Sequence, residues 1–347
     1  MHTTTPTLDL TLDHIDAEFA RIVDELTRRG LLTGGVSVAA ALGLAACGSS
    51  PSGTTTTATR AVGSAKGTIT VPMHPTRVVS IDWFVNNTLY DLGVNPIGVQ
   101  DPGAQYVAPR YRSRWDTESK VNSAGSGIAV EKVAALQPDL IIGTAGAAVS
   151  SSLYRQLSAI APTVLAVASP WQDMTQTIAE ATNQAAALKK LKAKLAARYT
   201  GIKATYADVL GRTHWDLLQG GFDQGQFYCY GPNSLIGLVL ADAGVEFADA
   251  SENSASAKSP GVGIRSVSYE NIDQLRDADV IAYYATTDGT PQNLGPRLFA
   301  QQLWKNLPAV KAGRVVPIAD FLVGGYGDAL AVLDELEAGL KKLQENR

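Results

Sequence analysis

Aromatic and arginine side chains are concentrated in a few short segments of this 347-residue chain, and each segment follows an apolar run that predicts a buried strand. Aromatic faces give a large contact area at a small entropic cost, and the guanidinium fork binds paired oxygens of carboxylates, hydroxamates or catecholates. In open α/β sheets, ligands bind outside the carboxyl ends of the strands. These side chains therefore predict a site for a bulky, partly aromatic, anionic ligand. The candidates are Trp83, Tyr106, Arg110, Arg112, Arg114, Trp115, Trp171, Phe222, Tyr228, Tyr284 and Thr287.

Each candidate also has an ordinary structural interpretation. Any single aromatic residue can belong to the core or to an exposed loop, and "RYRSR" (110–114) can be a solvated charged loop. No single residue indicates a binding site, but the clustering of these residues after predicted strands favours one. Cys229 lies among aromatic residues and is predicted to be a buried free thiol without a role.

Two acidic residues head two similar stretches, "VEKVAALQPDLIIG" (130–143) and "YENIDQLRDADVIAY" (269–283). Glu131 and Glu270 each precede a helical pattern, an acidic residue and an apolar strand. The repetition predicts a helix that leads into a buried strand at equivalent points of two similar lobes, since two copies are too few for a solenoid. The alternative is that both glutamates are ordinary first-turn acids favoured by the helix dipole.

The segment "LTRRGLLTGGVSVAAALGLAACGSS" (26–50) is the most specific feature of the chain. An uncharged run, short for a membrane span and rich in Gly and Ala, follows twin arginines and is typical of a secretory signal. Residues 44–47 resemble a bacterial lipobox, which implies lipidation of Cys47, and the twin arginines resemble a signal for export of folded cargo. The alternatives are a buried helix that ends in cysteine, the general secretory route, and a later start codon.

This segment divides the chain before the folded body. Residues 1–46 are expected to be a signal peptide, and the polar residues 47–67 a flexible tether. The expected location is the extracytoplasmic face of a bacterial cell membrane, with the lipid on Cys47 as the anchor.

Charge and motif content narrow the function classes. The net charge of −4 argues against non-specific nucleic-acid binding. Four histidines and two cysteines are scattered without metal-ligand spacing, so no metal site and no resident cofactor are expected. The chain contains no nucleophile elbow, phosphate-binding loop or dinucleotide fingerprint in the required context, which favours a protein that is not an enzyme.

Apolar runs and helical patterns alternate from Thr68 onward, which predicts an α/β fold with parallel sheets covered on both faces. Between them, residues 171–206 show apolar or small residues every three to four positions and predict one continuous helix, roughly 45 Å long for about 30 residues. The expected organisation is two Rossmann-like lobes, 68–170 and 207–347, joined by the helix 171–206, with a ligand cleft between the lobes.

Six weak motifs occur one after another over residues 68–345: "PTRVVSID", "LYDLGVNPIGV", "VEKVAALQPDLIIG", "QLSAIAPTV", "YENIDQLRDADVIAY" and "LWKNLPAVKAGRVVPI". In these motifs, in their order and in the lipobox, the chain resembles the bacterial solute-binding lipoproteins, class III periplasmic binding proteins, that deliver ferric siderophores, haem or cobalamin to ABC importers. The resemblance implies two lobes on one long helix, limited closure, a monomer, and a partner permease dimer with a cytoplasmic ATPase. It also implies that Glu131 and Glu270 pair with permease arginines, where a symmetric pair gives register and encounter rate more than affinity.

The resemblance leaves the cargo open. A ferric siderophore is the expected ligand, and it needs no protein ligand to the metal because its chelator fills the coordination sphere of the iron. Haem is an alternative, with Tyr228 or His214 as an iron ligand, and cobalamin suits an arginine-rich cleft less well. A different class is an envelope adaptor that has kept the fold and lost the ligand, since "WFVNNTLYDLG" (83–93) lacks the acid or Ser-Glu that many relatives carry early in the first helix.

Overall fold

The computed structural model describes residues 58–123, 126–146, 148–257 and 262–345. The signal peptide, Cys47 and the tether up to residue 57 lie outside the described residues. Within them, two open β-sheets are each covered by helices, so the prediction of a two-lobed α/β fold is confirmed. Among the helices of this described part, none combines the length and the apolar character that a membrane span requires.

The folded body begins earlier than predicted, with an antiparallel hairpin of β1 (Thr59–Ser64) and β2 (Gly67–Pro72). Gly67 has φ +96°, a conformation that glycine adopts without strain and that closes the turn. Val62 and Val71 are buried, and the Ser64 hydroxyl donates to the Leu165 carbonyl at 3.1 Å. The tether prediction is therefore wrong for residues 59–67. Only one valine per strand is buried, and the hairpin depends on its contact with the first lobe, so local composition does not reveal it.

The first lobe is built on an all-parallel sheet, as predicted. The elements are β3 (Val78–Ser80), α1 (Trp83–Asp91), β4 (Gly98–Val99), a 3₁₀ helix (Ala104–Tyr106), α2 (Pro109–Thr117), β5 (Ser119–Lys120), α3 (Val130–Ala135), β6 (Leu140–Ala145), α4 (Ser151–Ile160) and β7 (Thr163–Val167). The strand order is β5-β4-β3-β6-β7, so the chain reverses its direction of progress at the central strand β3. The helical patterns that alternate with the apolar runs, "VNNTLYDLG", "VEKVAALQ" and "SLYRQLSAIA", form most of α1, α3 and α4.

The connection between the lobes is two helices, α5 (Trp171–Ala181) and α6 (Ala185–Thr205), so the prediction of one continuous helix over 171–206 is wrong. Asn183 has φ +58°, its N–H donates to the Glu180 carbonyl at 3.3 Å, and the N–H of Gln184 donates to the Ala179 carbonyl at 2.7 Å. These two bonds around a left-handed residue are a Schellman motif, which ends α5, and Asn tolerates that conformation.

The chain turns sharply at this break. The Lys192 ammonium donates to the Gln176 side chain at 2.8 Å, whereas a straight helix would separate positions 176 and 192 by roughly 24 Å. The apolar periodicity continues on both sides of the break, which is why the pattern alone indicated a single rod.

The second lobe has a mixed sheet, and the prediction of a parallel sheet is wrong for part of it. The elements are α7 (Ala207–Leu210), β8 (His214–Gly220), β9 (Gln226–Tyr230), α8 (Leu235–Asp242), β10 (Glu246–Phe247), α9 (Asp249–Glu252), β11 (Ile264–Ser268), a 3₁₀ helix (Tyr269–Leu275), β12 (Val280–Tyr284), α10 (Gly295–Ala300), α11 (Gln302–Asn306), α12 (Pro308–Lys311), β13 (Val315–Ile318) and α13 (Tyr326–Glu345). Strands β8, β12 and β13 are parallel, and β10 pairs in parallel with the start of β8. Strand β9 is antiparallel to β8, because a short turn and not a helix connects them, and β11 is antiparallel to β9.

Successive strand residues point to different cores, as the pleat requires. In β6, Leu140 and Ile142 belong to a large core, and Ile141 belongs to an outer core of the first lobe. In β8, Leu217 belongs to the same large core, while Leu218 belongs to an outer core of the second lobe. The large core also contains apolar residues of α5, α6 and α13, so the two lobes share continuous apolar packing.

Candidate ligand-binding cleft

The cleft lies at the carboxyl ends of strands from both sheets, where open α/β sheets bind ligands. It consists of two cavities of about 190 Å³ and about 500 Å³, which share Trp83, Tyr106 and Leu322. The first lobe contributes the residues after β3, β4 and β5, and the second lobe contributes the ends of β8 and β12 and the segment after β13. Both lobes therefore form walls of each cavity.

The position of Trp83 is fixed by local bonds at the start of α1. Asp82 is the N-cap, and its carboxylate accepts the N–H of Phe84 at 2.9 Å and the hydroxyl of Thr144. The N–H of Trp83 donates to the side-chain oxygen of Gln100 at 2.8 Å, and its ring stacks on Phe84 with centroids 3.9 Å apart. These contacts hold a partly buried indole between the two cavities.

Two glutamine residues, Gln100 and Gln219, line the larger cavity. The Oε1 atom of Gln100 accepts from Trp83, and the Oε1 atom of Gln219 accepts from the Tyr230 hydroxyl. With the oxygens already bonded, the Nε2 groups face no partner among the described residues. They are neutral donors for the oxygens of a ligand.

Six of the predicted residues line the cleft. Arg112 donates to the Val107 carbonyl at 3.3 Å and to the Ala104 carbonyl, while Phe222 is 61% exposed at the mouth of the larger cavity. Tyr228 lies behind Phe222, with ring centroids 6.0 Å apart, and does not line either cavity. The six lining residues are Trp83, Tyr106, Arg112, Phe222, Tyr284 and Thr287.

Four other predicted residues lie elsewhere, and placing them in the cleft was wrong. Trp171 is fully buried and packs edge-on against Tyr326 at 4.9 Å, and Trp115 is buried in a small core beneath the Lys120 ammonium. Arg110 and Arg114 occupy one face of α2 and Arg112 the other, because residues four apart share a helix face and residues two apart do not. The Arg114 guanidinium donates to the Tyr90 carbonyl at 3.1 Å.

Arg110 joins the two lobes beside the cleft. Its guanidinium pairs with Asp320 and with the buried Asp328, both of the second lobe. The Asp328 carboxylate also accepts the Asn87 amide at 3.0 Å and the Gly324 N–H at 2.8 Å. Arg110 was predicted to bind the ligand, but in the structure it bonds across the lobe interface.

A second set of bonds lies next to this ion pair. The Asp91 carboxylate of α1 accepts the N–H of Gly327, at the start of α13, and the Tyr111 hydroxyl, both at 2.7 Å. The Thr88 hydroxyl donates to the Gly324 carbonyl at 2.6 Å. We call these contacts the lobe lock. Across the interface, Asn87, Thr88, Asp91 and Arg110 bond to Gly324, Gly327, Asp320 and Asp328, and within the first lobe Tyr111 bonds to Asp91.

The glycines of "GGYG" (324–327) allow the two lobes to approach this closely. A Cβ on Gly327 would overlap the Tyr111 hydroxyl and the Asp91 carboxylate, and a Cβ on Gly324 would lie 2.7 Å from the Phe84 ring. The segment matches no recognised glycine motif. Its glycines are explained by the close approach of this backbone to the helices α1 and α2.

Burial changes the titration of carboxyl groups at this interface. It raises the pKa of Asp328 to about 7, although the nearby Arg110 charge opposes the shift. Within the second lobe, burial raises the pKa of Glu335 to about 7 as well, although that carboxylate accepts the N–H of Ala319 at 3.0 Å. Burial also raises the pKa of Asp91. The interface therefore contains carboxyl groups that titrate above the usual acidic range.

Two other features lie outside the cleft. A depression of about 550 Å³ runs along the edge strand β13, and its lining includes Arg212, Arg314 and Lys342. His214 stands at the amino end of β8, exposed and near Glu246 and Asp279, at the opposite end of the strand from Gln219. This placement contradicts His214 as an iron ligand in the cleft.

The two repeated stretches occupy equivalent places. Helix α3 leads into β6, the neighbour of β3, and the 3₁₀ helix Tyr269–Leu275 leads into β12, the neighbour of β8. The closing acids are equivalent too: Asp139 accepts the Arg77 N–H before β3, and Asp279 accepts the His214 N–H that opens β8, both at 2.9 Å. Glu131 and Glu270 are exposed in the first turns of their helices.

Two lobes with a ligand-sized cleft at the strand ends define a solute-binding fold. The chain matches the family described as "Periplasmic binding protein" over residues 78–320, and it belongs to that family. This membership confirms the expectations of a binding protein rather than an enzyme and of the class to which the sequence motifs pointed.

Several similar proteins have names that refer to siderophores or to iron(3+)-hydroxamate. The chain is 30% identical over 322 residues to the "Probable siderophore-binding lipoprotein YfiY" of Bacillus subtilis, covering 87% of this chain and 95% of that protein. It is 29% identical over 260 residues to the "Iron(3+)-hydroxamate-binding protein FhuD" of the same species, covering 72% and 75%. It resembles the siderophore periplasmic binding protein from the fuscachelin gene cluster of Thermobifida fusca, with a TM-score of 0.67, 30% identity, and coverage of 78% and 98%.

Proposed function

We propose that this protein is a lipid-anchored solute-binding protein that captures a ferric siderophore in the cleft and delivers it to an ABC permease. The observation that carries the proposal is the cleft itself, which both lobes line with aromatic rings and amide groups at the strand ends. Membership of the family and the siderophore-related names of its relatives support the choice of ligand.

The protein would recognise the outer surface of the chelate. A siderophore fills the coordination sphere of the iron, so the cleft needs contact area and hydrogen-bond donors instead of metal ligands. Trp83 and Tyr106 supply rigid aromatic area in both cavities, and Phe222 adds an exposed ring at the mouth.

The anchor and the partner belong to the same proposal. The lipobox at Cys47 would attach the protein to the outer face of the cell membrane, and relatives are named lipoproteins. Glu131 and Glu270, at equivalent exposed positions of the two lobes, would meet matching arginines of a permease dimer, whose ATPase lies in the cytoplasm. Replacing both glutamates with glutamine would lower uptake in cells and leave chelate binding by the purified protein unchanged.

Titration of the purified protein with ferric siderophores, haem and cobalamin tests the proposal. Trp83 is the one tryptophan among the described residues that lines the cleft, so a bound iron chelate should quench its fluorescence saturably. Isothermal calorimetry on the Trp83→Phe variant separates loss of signal from loss of binding. If no compound in the panel binds to the folded protein by either method, the proposal fails and the adaptor function replaces it.

A further inference from the structure

The larger cavity is almost free of charge. Among the described residues, Asp101 is the one charged side chain in its lining, and the remaining lining residues are aromatic, apolar, hydroxyl or amide. Asp101 is held in place because its carboxylate accepts the Gly103 N–H at 2.7 Å. The nearby Lys120 ammonium is bonded to the Trp115 and Glu118 carbonyls and does not line the cavity.

The charges around the smaller cavity cancel. Arg112, Asp320 and Asp328 line it. Arg110 does not line it but pairs with both acids. Two cations therefore face two carboxyl groups here, of which Asp328 has a pKa of about 7, and Asp101 adds a further negative charge, so the described cleft wall carries little net charge. The three-arginine site predicted from the sequence is not present, because Arg112 lines the cleft while Arg110 pairs with the two acids and Arg114 bonds to the Tyr90 carbonyl.

The hydrogen-bond donors in the larger cavity are neutral too. The Nε2 groups of Gln100 and Gln219 suit carbonyl oxygens and the oxygens of iron-bound hydroxamates, each of which shares one negative charge between two atoms. A multiply charged anion would lose its hydration without gaining cations in return, which is costly in a partly enclosed site.

We infer that the cleft selects ferric chelates without net negative charge, the class formed by trihydroxamates, and that Asp101 acts against polyanionic chelates. In a ferric trihydroxamate the three singly ionised groups cancel the charge of the iron. A ferric tricatecholate keeps three negative charges, because each catecholate carries two. The inference rests on the proposed function and specifies the ligand class of the same site.

Comparing the affinities of two ferric chelates, one neutral and one trianionic, tests this selectivity. Purified protein is titrated with ferrichrome, a neutral ferric trihydroxamate, and with the trianionic ferric complex of enterobactin, at low and high NaCl. We expect ferrichrome to bind at least tenfold more tightly, with an affinity that changes little with salt. Asp101→Asn keeps the oxygen that accepts the Gly103 N–H and removes the charge, so it should shift the affinity ratio at least fivefold toward the tricatecholate.

The outcomes separate this inference from the proposed function. Equal or tighter binding of the tricatecholate, or an unchanged ratio in Asp101→Asn, overturns the charge selectivity and leaves a siderophore-binding protein. No binding of any ferric chelate to the folded protein overturns the proposed function itself. Arg112→Gln gives a second check, since it should weaken any remaining tricatecholate binding more than ferrichrome binding.

Discussion

The two ends of helix α1 meet the second lobe in opposite ways. At its start, Trp83 faces an open cleft whose lining is aromatic, amide-rich and nearly neutral. Further along the same helix, Asn87, Thr88 and Asp91 are bonded to the backbone and carboxylate at the start of α13. One nine-residue helix therefore belongs both to the ligand site and to the lobe lock.

Helix α2 repeats the contrast over two residues. Arg112 faces the cleft, and Arg110, on the opposite side, pairs with Asp320 and Asp328. The lock holds the lobes together on one side of the interface and leaves the other side open to a ligand. The width of the cleft is thus set by buried polar bonds and by the shared core, in addition to the helices α5 and α6 that connect the lobes.

The largest expected effect comes from breaking the lock. Asp328→Ala should lower the free energy of unfolding by roughly 3 kcal/mol, because it leaves the Asn87 amide and the Gly324 N–H without their acceptor and removes one of the two carboxylates that pair with Arg110. Urea denaturation followed by circular dichroism measures the loss.

An exposed ion pair provides the matched control. Asp334 pairs with Arg198 at 2.5 Å but its side chain is 74% exposed, so Asp334→Ala should cost less than about 1 kcal/mol. Equal losses in the two variants would show that the lock adds nothing beyond an ordinary surface ion pair.

A smaller effect is expected from the open side of the interface. Trp83→Ala should weaken chelate binding about tenfold, or about 1.4 kcal/mol, because it removes the ring shared by the two cavities. The free energy of unfolding should fall by less than the loss in Asp328→Ala, since Trp83 is only partly buried. Calorimetric titration and urea denaturation of the same preparation give both values, with the exposed Leu303→Ala as the control variant. A variant that binds normally would remove Trp83 from the site.

The smallest effect is a dependence of stability on pH. Asp328 and Glu335 have native pKa values of about 7 because of burial, whereas such carboxyl groups titrate near pH 4 in an unfolded chain. Between pH 8 and pH 6 the native state takes up protons that the unfolded state does not. The free energy of unfolding should therefore rise as the pH falls over this window, by roughly 1 kcal/mol for each carboxyl.

The difference between the wild-type protein and Asp328→Asn isolates one of these groups. The variant should keep the same direction of change with a smaller slope, because Glu335 still titrates. Stability curves that are flat from pH 6 to pH 8, or that have identical slopes, would contradict the shifted pKa of Asp328.

Local patterns predicted much of the fold. The parallel strands of the first lobe and helices α1, α3 and α4 followed from apolar runs and periodicity, and the two repeated stretches were found at equivalent places. The errors share a cause. The hairpin of β1 and β2 is stabilised by contact with β7. The antiparallel strand β9 results from a turn after β8, and the break at Asn183 from two backbone bonds that leave the apolar period undisturbed.

The predicted site residues line the cleft where their position depends only on the direction in which the strands run. Residues after β3, β4, β8 and β12 do line the cleft, because parallel strands end at the same edge. Trp115 and Trp171 were also predicted to line the cleft. They are the same residue type as Trp83, but they are packed into cores. The prediction also missed Gln100, Gln219 and Asp101, whose types are common and carry no distinctive spacing.

The sequence by itself determined the class of fold, the family and the edge of the sheets where a ligand would bind, because these depend on local periodicity and ordered short motifs. Tertiary structure alone decided which arginine faces the cleft and which closes the lobe lock, and whether the wall is basic or neutral. Those properties arise from pairs such as Arg110 with Asp328, which are 218 positions apart in the chain. Electrostatic balance depends on distances between such partners, and a linear order of residues does not contain them.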